Sequence, residues 1–358
     1  MKQIKLEYIW LDGYTPEPNL RSKTKILVDE EFIGDQLDLH HLPKWSFDGS
    51  STKQAEGSKS DCALNPVRIY PDPLRKNGYL VLCEVLNPDD TPHVSNKRSL
   101  MNNNIDYWFG FEQEYFLTEN GIPLGFPKDG TFPKEQGEFY CAIGNENVDG
   151  RKIVEEHLDA CLMAGMSISG VNAEVCIGQW EYQLFGKGQQ SVADDLWISR
   201  YLLYRVAELY GVDICLHPKP IEDNSGYDAN GSGMHVNFSD SELRNIGGKP
   251  LVKEICEILK DRHQLHIDHY GSDNDKRLSG KFETQHISKF SYGVSDRGAS
   301  VRVPISTAKN GWKGYLEDRR PGSNADPYDI TRLISEVLKK KSNYTINKSK
   351  SSMQNILV

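Results

Sequence analysis

The run Phe109-Gly110-Phe111-Glu112-Gln113-Glu114-Tyr115-Phe116 constrains this chain more than any other segment. Aromatic residues flank a short polar centre in it, and it reads as a strand. A period of two then puts Glu112 and Glu114 on one face, with Phe111, Gln113 and Tyr115 on the other. Two carboxylates on one face repel, and between aromatics they also lose solvent. Taken alone, an acid-x-acid pair on a strand is most often a solvated face. A sheet that buries this strand must set a cation against the pair, and a divalent metal is the simplest one.

Other segments supply matching groups. Asn172-Ala173-Glu174-Val175 and Gly178-Gln179-Trp180-Glu181-Tyr182 carry Glu174 and Glu181 in short strand-like stretches bounded by Gly, with Trp180 and Tyr182 as an apolar neighbourhood. Asn230-Gly231-Ser232-Gly233-Met234-His235-Val236-Asn237-Phe238 runs a Gly-rich turn into an alternating segment that carries His235. Oxygen donors with one imidazole suit Mg²⁺ or Mn²⁺ better than Zn²⁺. The seven cysteines form no C-x-x-C pair and do not read as a disulfide framework, so no soft-metal site competes.

At 358 residues the chain is longer than one usual domain. Its net charge of −9 speaks against an extended nucleic-acid footprint or binding to an anionic membrane. There is no 18-residue apolar run and no secretory h-region at the start, which fits a cytoplasmic enzyme. The first hundred residues read as short strands, among them Ile4 to Trp10, Lys25 to Val28 and Tyr79 to Val85, parted by Pro, Gly and Asp turns. The polar stretch from Asn87 to Asn104 is the linker candidate, giving domains at 1–98 and 104–358. Beyond it strands alternate with helices. These are predicted over Arg151 to Gly165, from a near capping box at Ser191-Val192-Ala193-Asp194 to Gly211, over Leu251 to His266 and over Pro327 to Lys339, with a loosely held tail after that.

Taken in order, several motifs resemble the glutamine synthetase family, in its shorter class typical of eukaryotes and found in some bacteria. They are Trp45-Ser46-Phe47-Asp48-Gly49-Ser50-Ser51-Thr52, the paired-acid strand, Asn172 to Tyr182, Asn230 to Asn237, and Arg277-Leu278-Ser279-Gly280. Asp296-Arg297-Gly298-Ala299-Ser300-Val301-Arg302-Val303-Pro304 and Tyr315-Leu316-Glu317-Asp318-Arg319-Arg320-Pro321 complete the set. The resemblance implies an α+β fold, with an N-terminal β-grasp domain and a C-terminal glutamine-synthetase/guanido-kinase-like catalytic domain whose antiparallel sheet lines a funnel. It also implies a homo-oligomer, a decamer of two pentamers, with sites between adjacent subunits.

The reaction so implied joins ammonium to the γ-carboxylate of L-glutamate at the expense of ATP, through γ-glutamyl phosphate. By resemblance Glu114, Glu174 and Glu181 hold one Mg²⁺ or Mn²⁺ on the glutamate side, and Glu112, His235 and Glu317 hold a second on the nucleotide side. His235 must be neutral to ligate, so activity is expected to fall below about pH 6.5. A lone Arg is usually a surface residue, yet each of four lies in a matching motif. Arg277 is assigned to the substrate carboxylate, Arg297 to the transferring phosphoryl group, Arg302 to the nucleotide phosphates and Arg319 to the intermediate. Glu112, Glu181, Asn237, Ser239, Arg244, Arg297, Arg302 and Tyr315 line the ATP site. Glu174, Asn230, Gly231, Arg277, Arg297 and Arg319 receive glutamate, although a Gly-rich turn is more often only a turn.

Asp48 would bind ammonium and take its proton, acting on the adjacent subunit, with Asp61 assisting. Read without the resemblance, Asp48 is a turn former. Glu283 would sit on a flap that excludes water. Three segments depart from the family pattern: Ala229 replaces a Trp, Gly186-Lys187-Gly188 a Gly-Pro turn, and Gly137-Glu138-Phe139-Tyr140-Cys141 a Gly-Pro-Tyr-Tyr-Cys run. They bear on affinity and loop order, not on the reaction. A glutamate–amine ligase of γ-glutamylpolyamine type would open the ammonium pocket, and a non-catalytic homologue would lose metal ligands. Asp48, Asp61, Glu283 and the six ligand positions are all kept.

Overall fold

The computed structural model describes residues 3–28, 38–222 and 225–354, with side chains as far as 341. Two compact units are present, and each is discontinuous in sequence. The first takes Met1–Asn102, Lys152–Ile168 and Asp194–Tyr210. Its sheet has strands β1 (Gln3–Leu11), β2 (Leu20–Val28), β3 (Trp45–Asp48), β4 (Asp61–Pro71) and β5 (Gly78–Leu86) in the order β2-β1-β5-β4-β3. The central pair β1 and β5 is parallel, and the others are antiparallel. Leu6, Tyr8 and Trp10 alternate along β1 and enter one core with Leu64, Val81, Cys83 and Val85.

The second unit holds the longer sheet. Its strands are β6 (Trp108–Glu119), β7 (Ile122–Pro123), β8 (Ile168–Ala173), β9 (Gln179–Lys187), β10 (Asp213–Cys215), β11 (Met234–Ser239), β12 (Tyr292–Val294), β13 (Val301–Val303) and β14 (Leu316–Asp318). The order is β12-β13-β14-β11-β6-β9-β8, with β7 and β10 also paired to β6. The β6, β9, β11 and β14 pairings that carry the acids are antiparallel, whereas β12 and β13 run parallel at one end. An α+β chain with a separate N-terminal sheet is therefore what these residues form.

The helices are α1 (Arg151–Met163), α2 (Gln189–Tyr210), α3 (Ser241–Asn245), α4 (Lys249–Asp261), α5 (His263–Ile267), α6 (Asn274–Arg277), α7 (Ile305–Lys309) and α8 (Pro327–Gln354). Three differ from the sequence reading. The first turn of α2 is capped not by Ser191 but by Asn103, whose Oδ1 accepts from the backbone N–H of Gln190 and of Ser191, each at 3.2 Å. Asp194, the acid of the expected capping box, binds Arg98 at 2.9 Å instead. The helix expected over Leu251 to His266 is interrupted at Arg262, where the backbone leaves helical geometry between α4 and α5. The tail expected after Lys339 is helical to Gln354, since that stretch has neither Pro nor Gly to stop α8. Among the described residues no helix is long and apolar enough to cross a membrane.

Candidate active site

Sheet register builds the site before any side chain is considered. Glu112 on β6 lies opposite His235 on β11, and Glu114 lies opposite Glu181 on β9. Glu317 on β14 is opposite both Asn237 on β11 and Arg302 on β13. Directly opposed residues bring their side chains together on one face. Two groups result: ligand atoms of Glu112, His235 and Glu317 lie within 4.8 Å of one another, and so do those of Glu114, Glu174 and Glu181. One strand feeds both groups, as alternation along β6 requires.

In each group two of the three residues are buried and one is half-buried. Burial, then the neighbouring Glu174 carboxylate, pushes the Glu114 carboxyl up to about 8. Burial and then the Glu112, Glu114 and Glu174 charges push Glu181 up to about 9. Burial raises Glu174 as well. Each acid is nevertheless held in place. The N–H of Gly233 donates to Glu114 at 2.7 Å, that of Val175 to Glu174 at 3.0 Å, and the Gln183 amide to Glu181.

His235 is fixed from both sides. Its Nδ1 faces Glu112, Glu317 and Glu114 at 3.5, 3.7 and 3.9 Å, while its Nε2 lies 3.1 Å from Arg277 Nη2. Burial, then the Arg319 and Arg277 charges, hold its pKa well below the usual histidine range. The imidazole is thus neutral far below pH 6.5, and an acid limb near that value is not to be assigned to His235. Gly233 permits the Arg277 contact, because a Cβ there would stand 2.4 Å from Arg277 Nη2.

Four arginines ring these acids. Glu317 is bracketed by Arg302 Nε and by Arg319 Nη1, the latter at 2.6 Å. Arg319 Nε donates to the carbonyl of Arg297 at 3.0 Å. Arg297 is over half exposed and faces Glu283 at 3.6 Å. Glu112, Glu114, Glu174, Glu181 and His235 line one cavity of about 610 Å³ with Arg277, Arg297, Arg302, Arg319, Glu283, Asn230 and Gly231, and Glu317 is fully buried behind its wall.

A second cavity of about 470 Å³ is lined by Glu112, Asn237, Ser239, Arg244 and Tyr315, together with Trp108, Phe109, Phe111, Leu184 and Phe185. Glu112 and Gln183 line both cavities. An aromatic cavity thus adjoins a charged one. Arg244 Cζ lies over the Trp108 ring, 3.9 Å from its centroid, with its guanidinium donating to Ser239 and Asp106.

Asp48 and Asp61 belong to the first unit. They are directly opposed across β3 and β4. The turn-former reading of Asp48 also applies: its carboxylate accepts from the Ser50 N–H at 3.0 Å, the Ser50 hydroxyl at 2.6 Å and the Ser51 hydroxyl at 2.7 Å. Those bonds, the Ser50 hydroxyl first, lower its pKa.

Several residues escaped the sequence reading. Gln179, Glu181 and Gln183 share a face of β9, with Trp180 and Tyr182 buried on the reverse rather than beside the acids. The period of two was the available signal. Gln136 exchanges hydrogen bonds with Asn230, accepting from its N–H at 2.6 Å and donating to its side chain at 2.8 Å. No local pattern marks Gln136.

Comparison with known proteins agrees with this geometry. The profile described as "Glutamine synthetase, beta-Grasp domain" matches residues 3–88, and that described as "Glutamine synthetase, catalytic domain" matches 95–254. A glutamine synthetase of Bradyrhizobium diazoefficiens is 55% identical over 341 residues, covering 94% of this chain and 97% of that protein. One of Streptomyces viridochromogenes is 49% identical, covering 93% and 96%. A chloroplastic glutamine synthetase of Chlamydomonas reinhardtii is 45% identical, covering 93% and 90%. With the β-grasp sheet, the catalytic sheet and relatives matched from end to end, the chain belongs to the glutamine synthetase family.

Proposed function

We infer that the chain is a glutamate–ammonia ligase, which uses ATP to convert L-glutamate and ammonium to glutamine. The observation that carries this reading is the pair of acidic groups fed by one strand, set among four arginines and next to an aromatic cavity. The reacting partners are anions, so their meeting demands dense positive charge in a cleft whose own walls are acidic.

The donor sets suit hard divalent ions. Five carboxylates and one imidazole supply oxygen and nitrogen, and the histidine is neutral at physiological pH. Glu114, Glu174 and Glu181 would hold one Mg²⁺ or Mn²⁺, and Glu112, His235 and Glu317 another. Bound there, such ions neutralise phosphate oxygens and lower the repulsion between nucleotide and glutamate. ATP is proposed to occupy the Trp108 cavity, with Asn237, Ser239, Arg244 and Tyr315 about the nucleoside and Arg302 on the phosphates.

Asn230 and Gly231 would receive the amino-acid end of glutamate, and Arg277 its carboxylate. The γ-carboxylate oxygen attacks the terminal phosphorus, ADP leaves, and an acyl phosphate forms. Arg297 and Arg319 stabilise the charge on that group through planar donor forks. Asp48, aided by Asp61, takes a proton from ammonium. Ammonia then attacks the acyl carbon, and phosphate leaves. Glu283 covers the intermediate against water.

We propose further that residues 1–98 and 104–358 are the functional domains. The enzyme is a cytoplasmic homo-oligomer, a decamer of two pentamers, in which Asp48 serves the site of the adjacent subunit. Purified protein with ATP, glutamate, ammonium and Mg²⁺ should release phosphate and form glutamine detectable by mass spectrometry. Phosphate release that does not depend on ammonium, or a polyamine outperforming ammonium, would overturn the reading.

A further inference from the structure

Outside the ring of acids and arginines, one buried cation touches two segments that line the charged cavity. Lys219, in the segment leading out of β10, is only 4% exposed. Its Nζ donates to the carbonyl of Ala229 and lies 4.6 Å from the centre of the Phe282 ring. The preceding carbonyl, that of Pro218, accepts from the N–H of Ser232 at 2.8 Å. The same oxygen would lie 2.3 Å from a Cβ at position 231, so only glycine fits there. Pro218 and Lys219 therefore staple the turn from Ala229 to Ser232, which presents Asn230 and Gly231 to the cavity. Ala229 is itself buried with Phe116, Cys176, Ile221 and Tyr227, so the stapled turn rests on a rigid base.

The other contact is with a strained turn. Phe282 and Glu283 both have left-handed backbones, with φ of 51° and 59°. Residues with a Cβ avoid that region unless their surroundings enforce it. The base of the turn is closed by the Thr284 hydroxyl, which bonds the carbonyls of Lys281 at 2.7 Å and Arg277 at 3.2 Å, and by the Ile287 N–H on Leu278 O at 2.8 Å. Its tip rests on the Lys219 ammonium. A cation shielded from water attracts an aromatic face more strongly than an exposed one.

We propose that Lys219 is a positioning residue that couples the glutamate-receiving turn at 229–232 to the Glu283-bearing turn at 281–284. The coupling holds Glu283 over the cavity while the substrate turn is in register. This rests on the ligase reading and adds a device to it. When the coupling is lost the acyl phosphate still forms, but water gains access to it. Water oxygen attacks the acyl carbon, the carbon–oxygen bond to phosphate breaks, phosphate leaves and glutamate is regenerated. ATP is then consumed without glutamine.

The test compares Lys219→Met, Lys219→Arg and Phe282→Leu in the full-length enzyme, measuring phosphate and glutamine in the same reaction at saturating ammonium. Wild type should give about one phosphate per glutamine, while Lys219→Met and Phe282→Leu should raise that ratio about two-fold or more as the cover over the intermediate loosens. Lys219→Met should also raise KM for glutamate more than KM for ATP, and Lys219→Arg, which keeps the cation, should restore the ratio. A purely structural lysine would lower kcat with the ratio unchanged, and that result overturns the proposal. Should Lys219→Met fail to fold, the half-buried Phe282 decides, and an unchanged ratio in Phe282→Leu refutes the coupling. Wild type that makes no glutamine from ammonium refutes the ligase reading instead, and this proposal with it.

Discussion

Loading the acidic groups with a divalent ion should expel protons, and the number follows from the structure. Glu114 and Glu181 are held at about 8 and about 9 by burial and by each other's neighbours. At pH 7 the metal-free protein therefore keeps a proton on roughly nine-tenths of Glu114 and on nearly all of Glu181. A carboxylate must be ionised to ligate. Binding at pH 7 then releases about two protons, and apparent affinity rises about 100-fold per pH unit near neutrality. By pH 9.5 both groups are largely ionised beforehand, and release falls well below its value at pH 7. Calorimetric titration with MgCl₂ in buffers of different ionisation enthalpy reads the number directly at each pH. The sign carries over to stability. A folded-state pKa raised above the unfolded value near 4.5 stabilises at low pH, and that contribution is lost as pH rises through 8 to 9. Protein kept in chelator should thus lose several kcal/mol between pH 5 and pH 9, at about 1.4 kcal/mol per pKa unit, whereas Mg²⁺-loaded protein should not. Release of under one proton at pH 7, or release that grows with pH, would refute the reasoning.

Three further outcomes are expected. Glu317→Gln removes a proposed ligand and leaves Arg302 and Arg319 without their anion, so Mg²⁺-dependent turnover should drop about 10³-fold or more; steady-state rates near wild type would count against the metal assignment. Arg297→Lys should lower kcat roughly 10²-fold, as loss of a transition-state donor does, whereas a rise in KM alone would make Arg297 a ground-state binder. Asp48→Ala and Glu283→Ala chains, each inactive, should recover part of the activity when co-assembled, and no recovery in verified mixed oligomers would argue against a site shared between subunits.

What the sequence made legible was whatever a period of two encodes locally. Glu112 and Glu114 could be set on one face of a strand from eight residues, and β1, β5 and the end of β2 in the N-terminal sheet were readable, whereas β3 and β4 were not. Which strands lie beside β6 could not be read, because register is decided by packing between segments far apart in the chain, as Glu114 is from Glu181 and Glu112 from His235. The pairing of Glu112 with His235, and of Glu114 with Glu181, came from a resemblance and not from any pattern in the chain. Residues that act at a distance were hidden for the same reason. Asn103 caps a helix that begins at Gln189, Gln136 braces Asn230, and Lys219 sits under Phe282. Each is an ordinary polar residue in an irregular segment until the fold supplies its partner. The Ser191 misreading shows the reverse error, a local motif overruled by a better acceptor from elsewhere.

The two faces of β14 explain how a site made of strong charges can stay both rigid and receptive. Glu317, though fully buried, pairs with Arg302 and Arg319, which line the cavity, while Asp318 pairs with the buried Arg320. Arg320 is 1% exposed and grips Asp318 through paired bonds of 2.8 and 2.6 Å. Tyr270 donates to the same carboxylate at 2.9 Å, and His263 Nδ1 lies 3.0 Å from Arg320 Nη1. Removing one member of such a buried pair typically costs about 3 to 5 kcal/mol, because the other is left uncompensated. The strand is therefore fixed from its reverse face. Glu317 makes its own pairs with Arg302 and Arg319. Phosphates bound as proposed would draw those guanidiniums toward themselves while the Asp318–Arg320 pair still anchors the strand.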